Sequence, residues 1–488
     1  MSRPLILGLD IGTSSVRAAL FDLSGKLLPK TLVKNERTLH ATREGGAEID
    51  ADLAFRQLVD CVDDVLAKTE NSRSEIVTVA ASSFWHSLLG VDKNGKPTTK
   101  VLGWADNRSR DLVGDLRKRL DENEVHQRTG ARFHSSFWPA KLLWFRREQP
   151  DVFARTARWL SFSDYVAMRL SGKDVSCVSM ASATGLFDQR KCTWDAELSR
   201  FLKVGSNQLP PIAKRADHFL LNKTLSQRWP RLSAARWFPA IGDGAANNIG
   251  SGCVSKQRAA LMIGTSGAMR VAYKGVPPTR VPVGLWCYRI DRDRVIVGGA
   301  LSDGGGLYNW LEERLRAPKN VEAVIAKRRP ASHGLTFLPF VAGERSTGYH
   351  ENAAGAIIGM TSATDTVDVV EAAMEAVAFR FAEITDQLAE VAKFDEIIAS
   401  GGALRNSNLW TSIIADVLRR SLRFVPVPEA SLRGAVLLAL ETLGNIENIE
   451  QVSPLGGRVF EPDTDNHAMY QRALRQHKRY YDLIIKNT

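Results

Sequence analysis

Apolar residues recur along this chain in two rhythms, alternate positions and three-to-four spacing, and one alternating unit occurs twice. Leu5 to Asp22 reads L-I-L-G-L-D-I-G-T-S-S-V-R-A-A-L-F-D, and Ala260 to Tyr273 reads A-L-M-I-G-T-S-G-A-M-R-V-A-Y. Each is an apolar run, a Gly-Thr-Ser turn and a second apolar run bearing an arginine, the signature of a β-hairpin. The turns begin at Gly12 and Gly264, close to half the chain length apart. Two copies at that spacing predict a duplicated α/β fold, residues 1–250 and 251–488, with a ligand cleft between two lobes.

The pattern predicts further elements. Pro4 to Ile11 and Val16 to Leu23 read as strands with Ser24-Gly25-Lys26 as the next turn, and Asp50 reads as the N-cap of a helix carrying Leu53, Leu58, Val62, Val65 and Leu66 on its apolar face. Ile76 to Ala81 is a strand running into Ser82-Ser83-Phe84-Trp85-His86, and Leu88 to Val101 reads as a hairpin turning at Asn94-Gly95. In the second half, Thr366 to Ala392 is the longest predicted helix. Ile397-Ile398-Ala399 is a buried strand broken by Ser400-Gly401-Gly402-Ala403, with a helix starting near Asn406 or Ser407. Gln471 to Lys486 reads as a basic helix with a packing or solvent-facing role.

Composition narrows the class. The chain has 488 residues, 44% hydrophobic and 24% charged, enough to bury a core without disulfides or metals. A formal charge of +11 suits an anionic ligand, while the absence of long like-charge runs argues against a nucleic-acid arm. Five cysteines, odd in number and without a C-x-x-C pair, indicate neither a disulfide framework nor a zinc site. The apolar run Leu5 to Leu9 is ended by Asp10 too early for a signal-peptide core, and no stretch is long enough to span a membrane. The expectation is a soluble cytoplasmic protein.

No G-x-x-x-x-G-K-[ST] and no helix-opening G-x-G-x-x-G is present, so phosphate would have to be held another way. The two Gly-Thr-Ser tips offer one: glycine admits close approach of backbone N–H groups, and the hydroxyls donate to phosphate oxygens. Asp10, at the strand end before the first tip, could hold hydrated Mg²⁺, and Arg17 adds a cation. In Gly242-Asp243-Gly244-Ala245-Ala246-Asn247-Asn248-Ile249-Gly250, Asp243 fits a cleft base at a strand-to-helix turn; taken by itself it fits a helix N-cap better. Trp85 and His86, with Trp104, Asp106 and Arg108, offer the aromatic and polar surfaces of a polyol pocket, although each alone fits an ordinary core or surface position.

In order, these segments resemble the FGGY carbohydrate kinase family of the actin-like, ribonuclease H-like ATPase superfamily. The resemblance runs from L-G-L-D-I-G-T-S-S-V-R at Leu7 through W-A-D-N-R-S at Trp104, K-L-L-W at Lys141, G-D-G-A-A-N-N-I-G at Gly242, G-T-S-G-A-M-R at Gly264, G-E-R-S at Gly343 and S-G-G-A-L-R-N at Ser400. It implies the actin-like duplicated fold, with ATP and Mg²⁺ as cofactors and a small sugar or sugar acid as substrate. Asp243 then matches the catalytic base. Asp10, Thr13, Ser14, Ser15 and Arg17 match the first phosphate and metal loop, and Thr265 the second. Gly305 and Asn309 match nucleotide-contacting positions and Gly402 and Asn406 the adenosine loop. Trp85, His86, Asp106 and Arg108 fall, with Asp243, at sugar-contacting positions.

Within the family, S-S-x-x-H-S-L-L-x-V-D, A-S-A-T-G-L-F-D at Ala181 and I-G-T-S-G-A-M-R look most like gluconokinases. A sugar acid needs a cation near its carboxylate, and Arg108, Arg132, His134 and His86 are the candidates. Two departures point elsewhere: Trp85 stands where a smaller Met is commoner, and G-E-R continues S-T-G-Y-H-E-N-A without the usual Pro and Trp. The resemblance therefore leaves a pentulokinase, such as one acting on xylulose, as the alternative, and an actin-like ATPase switch without a sugar as a remote one. Neither nucleic acid nor membrane is implied as a partner, and a homodimer is possible.

Overall fold

The computed structural model describes residues 4–454 and 456–486. Each half is organised on one sheet with its hairpin at the centre. Leu5–Ile11 and Ser15–Phe21 pair antiparallel, with Asp10 opposite Arg17, and the first of these strands also runs parallel to Ile76–Ser83, with Asp10 beside Ser82. Val33–Glu36 extends this sheet on one side, and Arg236–Trp237 and Ile241–Gly242 line the far edge of Ile76–Ser83. The second hairpin, Arg258–Ile263 and Gly267–Lys274, holds the same place in a seven-stranded sheet, antiparallel within itself and parallel to Glu396–Ser400. The duplication is thus one of topology, each hairpin's first strand being shared between an antiparallel and a parallel neighbour. Parallel strands end on a common sheet edge, so each tip emerges beside the end of its neighbouring strand, where open α/β sheets bind ligands.

Helices form where the spacing predicts. Ala51–Lys68 is capped by Asp50, whose side chain accepts from the Leu53 N–H, and it buries Leu58, Val62 and Val65; Leu53 itself is 50% exposed, on the outward side of the first turn. Thr366–Val391 is closed at its start by reciprocal Asp365 and Asp368 bonds. Two elements differ from expectation. The turn at Asn94-Gly95 forms, with Gly95 N–H donating to Asp92 O at 3.0 Å, but the flanks meet only in isolated bridges at Val91/Pro97 and Leu88/Leu102. Pro97 has no N–H to extend a ladder, and Leu89–Val91 pairs instead with Arg158–Leu160 while Val101–Leu102 pairs with Ala47–Ile49. After Ser400 there are two helices, Gly402–Asn406 and Asn408–Leu418, the second capped by Ser407.

The halves meet through two helices that cross in backbone contact. Asp243–Gly250 lies against Ala430–Thr442, and a Cβ on Gly434 would stand 1.8 Å from Ala246 O, one on Gly250 1.9 Å from Ala430 O. Helix Ala430–Thr442 follows the second hairpin in sequence, yet Leu432, Val436 and Leu440 bury themselves among Ile6, Phe21 and Ala80 of the first sheet. Among the described residues no helix is long and apolar enough to cross a membrane, and all five cysteines are free.

Candidate active site

Asp243 stands at the first residue of helix Asp243–Gly250, directly after strand Ile241–Gly242 has placed Gly242 beside Ser83. The cap position falls on Gly242, so the carboxylate does not serve as the N-cap that sequence also allowed. It accepts from the Gly244 N–H at 2.8 Å and from the backbone N–H of Trp85. Burial raises its pKa above the usual carboxylate range, while the guanidiniums of Arg270 and Arg345 and these two N–H groups pull the other way.

Trp85 explains the glycines on either side of Asp243. Its indole lies flat against that turn, where a Cβ on Gly242 would come within 1.7 Å of Nε1 and one on Gly244 within 2.3 Å of the ring. The Trp85 indole N–H donates to Ser179 O at 3.1 Å, and the Ser179 hydroxyl accepts from the Gly242 N–H at 3.1 Å. Across the cleft, Trp286 and Tyr288 stack on each other with centroids 4.3 Å apart, and both meet Trp85 edge-on. His86, in a left-handed backbone conformation (φ 65°), has Nδ1 2.6 Å from Ala183 O, an arrangement that leaves Nε2 as an acceptor; burial pushes its pKa down to about 3. The ring is therefore neutral.

Asp10 is buried at the root of the first tip. Ser82 donates its hydroxyl proton to Oδ1 at 2.7 Å, and Arg17 Nη1 lies 3.6 Å from Oδ2 while bridging to Glu429 at 3.0 Å. Burial pushes the Asp10 carboxyl up to about 6, and the charges of Asp243 and Glu429 add to that rise. Asp243 and the first loop thus share one electrostatic neighbourhood. At the tip itself, Gly12 N–H closes onto Ser15 O at 2.9 Å, leaving Thr13 half-buried and Ser14 exposed with Ser15 buried.

The second tip is assembled from three segments. Gly264 N–H closes onto Ser266 O at 2.9 Å, and the N–H groups of Gly305 and Gly306, at the start of helix Gly305–Leu315, bond to Gly264 O at 2.8 Å and Thr265 O at 2.9 Å. The third is the loop at Gly401, whose φ of 105° and closeness to Ile263 O, 2.2 Å from a would-be Cβ, both require glycine. Thr265, Gly402, Asn309 and Asn406 are exposed around this junction, and a Cβ on Gly402 would meet nothing within 4 Å.

Of the expected sugar-side residues, Trp85 and His86 face this cleft with Asp243, while Asp106 and Arg108 face one another. Arg108 donates through Nε and Nη2 to Asp106, which also accepts from the Ala47 N–H at 3.0 Å. The same guanidinium pairs with Glu48 at 2.8 Å, lies 4.8 Å from the Trp144 ring and lines a different cavity of about 630 Å³. The other cations considered are engaged too: Arg132 with Glu122 at 2.7 Å, and His134 with Ser136 and Glu344 O.

The cations that do act on Asp243, Arg270 and Arg345, were not singled out from sequence, although both sit in quoted motifs. Arg270 alternates with Ala268 and Ala272 on the cleft-facing side of its strand, a lone charge between small residues. Arg345 lies 4.7 Å from the Trp104 ring and donates to Leu301 O at 2.7 Å. Glu429, which opens helix Ala430–Thr442 at a left-handed φ of 52°, was also missed. Asp303 was a further omission; it accepts from the Ala342 N–H at 3.1 Å and so ties the segment before Gly305 to the loop carrying Arg345.

Comparison with known proteins agrees with this arrangement. Over 496 residues the chain is 26% identical to the gluconokinase of Bacillus licheniformis, covering 98% of this chain and 94% of that one. Among solved structures, gluconate kinase from Lactobacillus acidophilus superposes with a TM-score of 0.90 at 26% identity, covering 99% of each chain. Xylulose kinase from the same organism gives 0.91 at 26% identity, covering 99% of this chain and 98% of that one. The N-terminal domain model of the FGGY family of carbohydrate kinases matches residues 5–228 and its C-terminal domain model residues 259–443. A duplicated two-lobe fold, paired tips and an acid facing the cleft therefore have their place: the chain belongs to the FGGY family of carbohydrate kinases.

Proposed function

We propose that this sugar kinase transfers the γ-phosphate of ATP to a terminal hydroxyl of an open-chain sugar acid, gluconate, giving 6-phosphogluconate and ADP. What supports the reading is that Asp243 follows Gly242, paired with Ser83, at the sheet edge where Asp10 pairs with the adjacent Ser82, while Arg270 and Arg345 act on it electrostatically. In this reading residues 1–250 supply the first loop, the base and the Trp85–His86 side of the sugar pocket, and residues 251–488 hold the nucleotide and face that pocket with Trp286 and Tyr288. Thr13, Ser14, Ser15 and Thr265 donate to the polyphosphate, Arg17 adds positive charge, and Gly305, Asn309, Gly402 and Asn406 border the nucleoside. Asp243 accepts the hydroxyl proton as oxygen bonds to phosphorus and the bond to ADP breaks.

The residues present suit Mg²⁺. The charges of Asp243 and Glu429 both act against that of Asp10, with only Arg17 among the described residues in ion-pair reach of Asp10, and no three acidic, histidine or cysteine side chains among the described residues form a cage. One or two carboxylates beside substrate phosphates are the usual environment of a largely hydrated Mg²⁺. Held by Asp10, it would neutralise polyphosphate charge as the transfer proceeds.

A pentulose is the second reading, favoured by the similarity to xylulose kinase and by the bulk of Trp85 in the pocket. Turnover of gluconate, xylulose, ribulose and glycerol in a coupled ADP-release assay tests both. Gluconate is expected to give the highest kcat/KM; transfer confined to ketopentoses establishes the second reading, and ATP hydrolysis indifferent to every polyol overturns both.

A further inference from the structure

We propose that Arg270 and Arg345 form an anion-reading wall in the sugar pocket that pairs with the substrate's carboxylate, and that Arg270 sets the preference for an acid over a neutral polyol. The proposal rests on the reading of Asp243 as the base and adds the residues that choose its substrate.

The observation behind it is an unanswered pair of charges. Of the arginines in the buried core, the three besides Arg270 have partners: Arg289 donates to Gln189 O and Arg292 O, Arg294 pairs with Asp291, Glu441 and Glu450, and Arg380 pairs with Glu344 and Glu383; among the partly exposed arginines, Arg37 shares with Arg345 the lack of a partner for buried nitrogens. Arg270 is 7% exposed, yet its Nε and Nη1 are buried with no hydrogen-bond partner. Arg345 spends Nη2 on Leu301 O, and its Nε is likewise buried without a partner. Neither has a carboxylate of the described residues within ion-pair distance. A desolvated guanidinium left without an anion is costly, so two at one site mark a place where an anion arrives.

Asp243 does not fill that role. Its carboxylate already accepts from Gly244 and Trp85, it is one acid against two guanidiniums, and as a base it has to remain free to take a proton. The surroundings are those of a sugar acid rather than of a polyphosphate. Arg345 lies over Trp104, and its charge reaches His86, Tyr288 and Tyr349. Room for Arg270 comes from Gly298 on the neighbouring strand, where a Cβ would stand 2.9 Å from Arg270 Cγ and 3.0 Å from the Trp286 ring. The stacked Trp286 and Tyr288 continue the same wall. Aromatic faces for C–H surface beside planar, forked donors suit a polyol chain ending in a carboxylate.

The test compares gluconate with glucitol, which replaces the carboxylate by a hydroxymethyl group, and with gluconamide, which keeps the shape without the charge. For the unaltered protein, calorimetry is expected to show gluconate binding at least about tenfold tighter than gluconamide. In Arg270→Met the ratio of kcat/KM for gluconate over glucitol is expected to fall by about 10²-fold or more, chiefly through the KM for gluconate, with Arg270→Lys recovering part of it. Equal loss on acid and neutral substrates, or loss confined to kcat, assigns Arg270 to the transferred phosphate and overturns the proposal. Equal binding of gluconate and gluconamide overturns it without any variant. Wild-type transfer to neutral sugars alone also overturns it while leaving the kinase intact, whereas no transfer to any polyol defeats the underlying reading instead.

Discussion

The indole of Trp85 occupies the space that a side chain on Gly242 would need, with Nε1 1.7 Å from the position of a Cβ there. Glycine next to Asp243 is therefore a packing requirement imposed from another strand end. Gly242→Ala is expected to push the ring aside, costing about 1–3 kcal/mol of stability in urea unfolding and raising the KM for the sugar. Combining it with Trp85→Met, which empties the same space, should recover part of both losses. Purely additive effects in that double-mutant cycle would show that the two residues do not compete for one volume.

Asp243→Asn keeps the shape of the side chain and removes its ability to take a proton. Phosphoryl transfer is expected to fall by about 10²–10⁴-fold, while nucleotide affinity measured by titration changes little. Near-wild-type turnover would remove Asp243 from the chemistry.

The pH dependence has a definite sign. The active base is the deprotonated carboxylate and its pKa is raised by burial, so kcat/KM falls as pH drops through that raised value. His86 contributes nothing to that fall, because its ring, held near a pKa of about 3, stays neutral throughout the active range. A pH–rate profile of His86→Gln should keep the acid limb of the unaltered protein; an acid limb that disappears would assign it to the imidazole.

Lys141 fastens the floor of the pocket from below. Fully buried, it donates Nζ protons to His86 O at 3.1 Å, Gly103 O at 2.7 Å and Ser136 O at 2.9 Å, joining the segments that carry His86 and Trp104. Lys141→Met removes the ammonium donor from all three carbonyls, of which Gly103 O keeps the Asp106 N–H at 3.2 Å, and is expected to cost about 2–5 kcal/mol in chemical denaturation. A loss well below that range would mean that water replaces the ammonium.

What the sequence disclosed follows the range over which each feature is determined. The hairpins, the Asp50 cap and the Gly-Asp-Gly turn are written in neighbouring residues, and they stand where the pattern places them. Arg108 was legible as a cation but its ion pairing was not, because Glu48, which joins Asp106 in engaging it, lies 60 residues earlier. Arg270 and Arg345 carried the converse problem. That a charge lacks a partner is a property of everything packed around it, and no local pattern records it. The failed hairpin at Asn94-Gly95 is of the same kind: the turn is local, but Leu89–Val91 finds a better partner nearly seventy residues away.

Helix Ala430–Thr442 has a consequence for any attempt to divide this molecule. The chain reaches the Asp243 carboxylate long before its end, yet the scaffold that fixes its bearing arrives almost two hundred residues later. A fragment ending near residue 250 would keep Trp85, His86 and Asp243 but lose the facing wall of Arg270, Trp286, Tyr288 and Arg345, and an oily, unroofed sheet would lie behind what remains. Such a fragment is expected to aggregate, and co-expression with the remainder, which returns the missing roof in trans, is the condition under which it should become soluble.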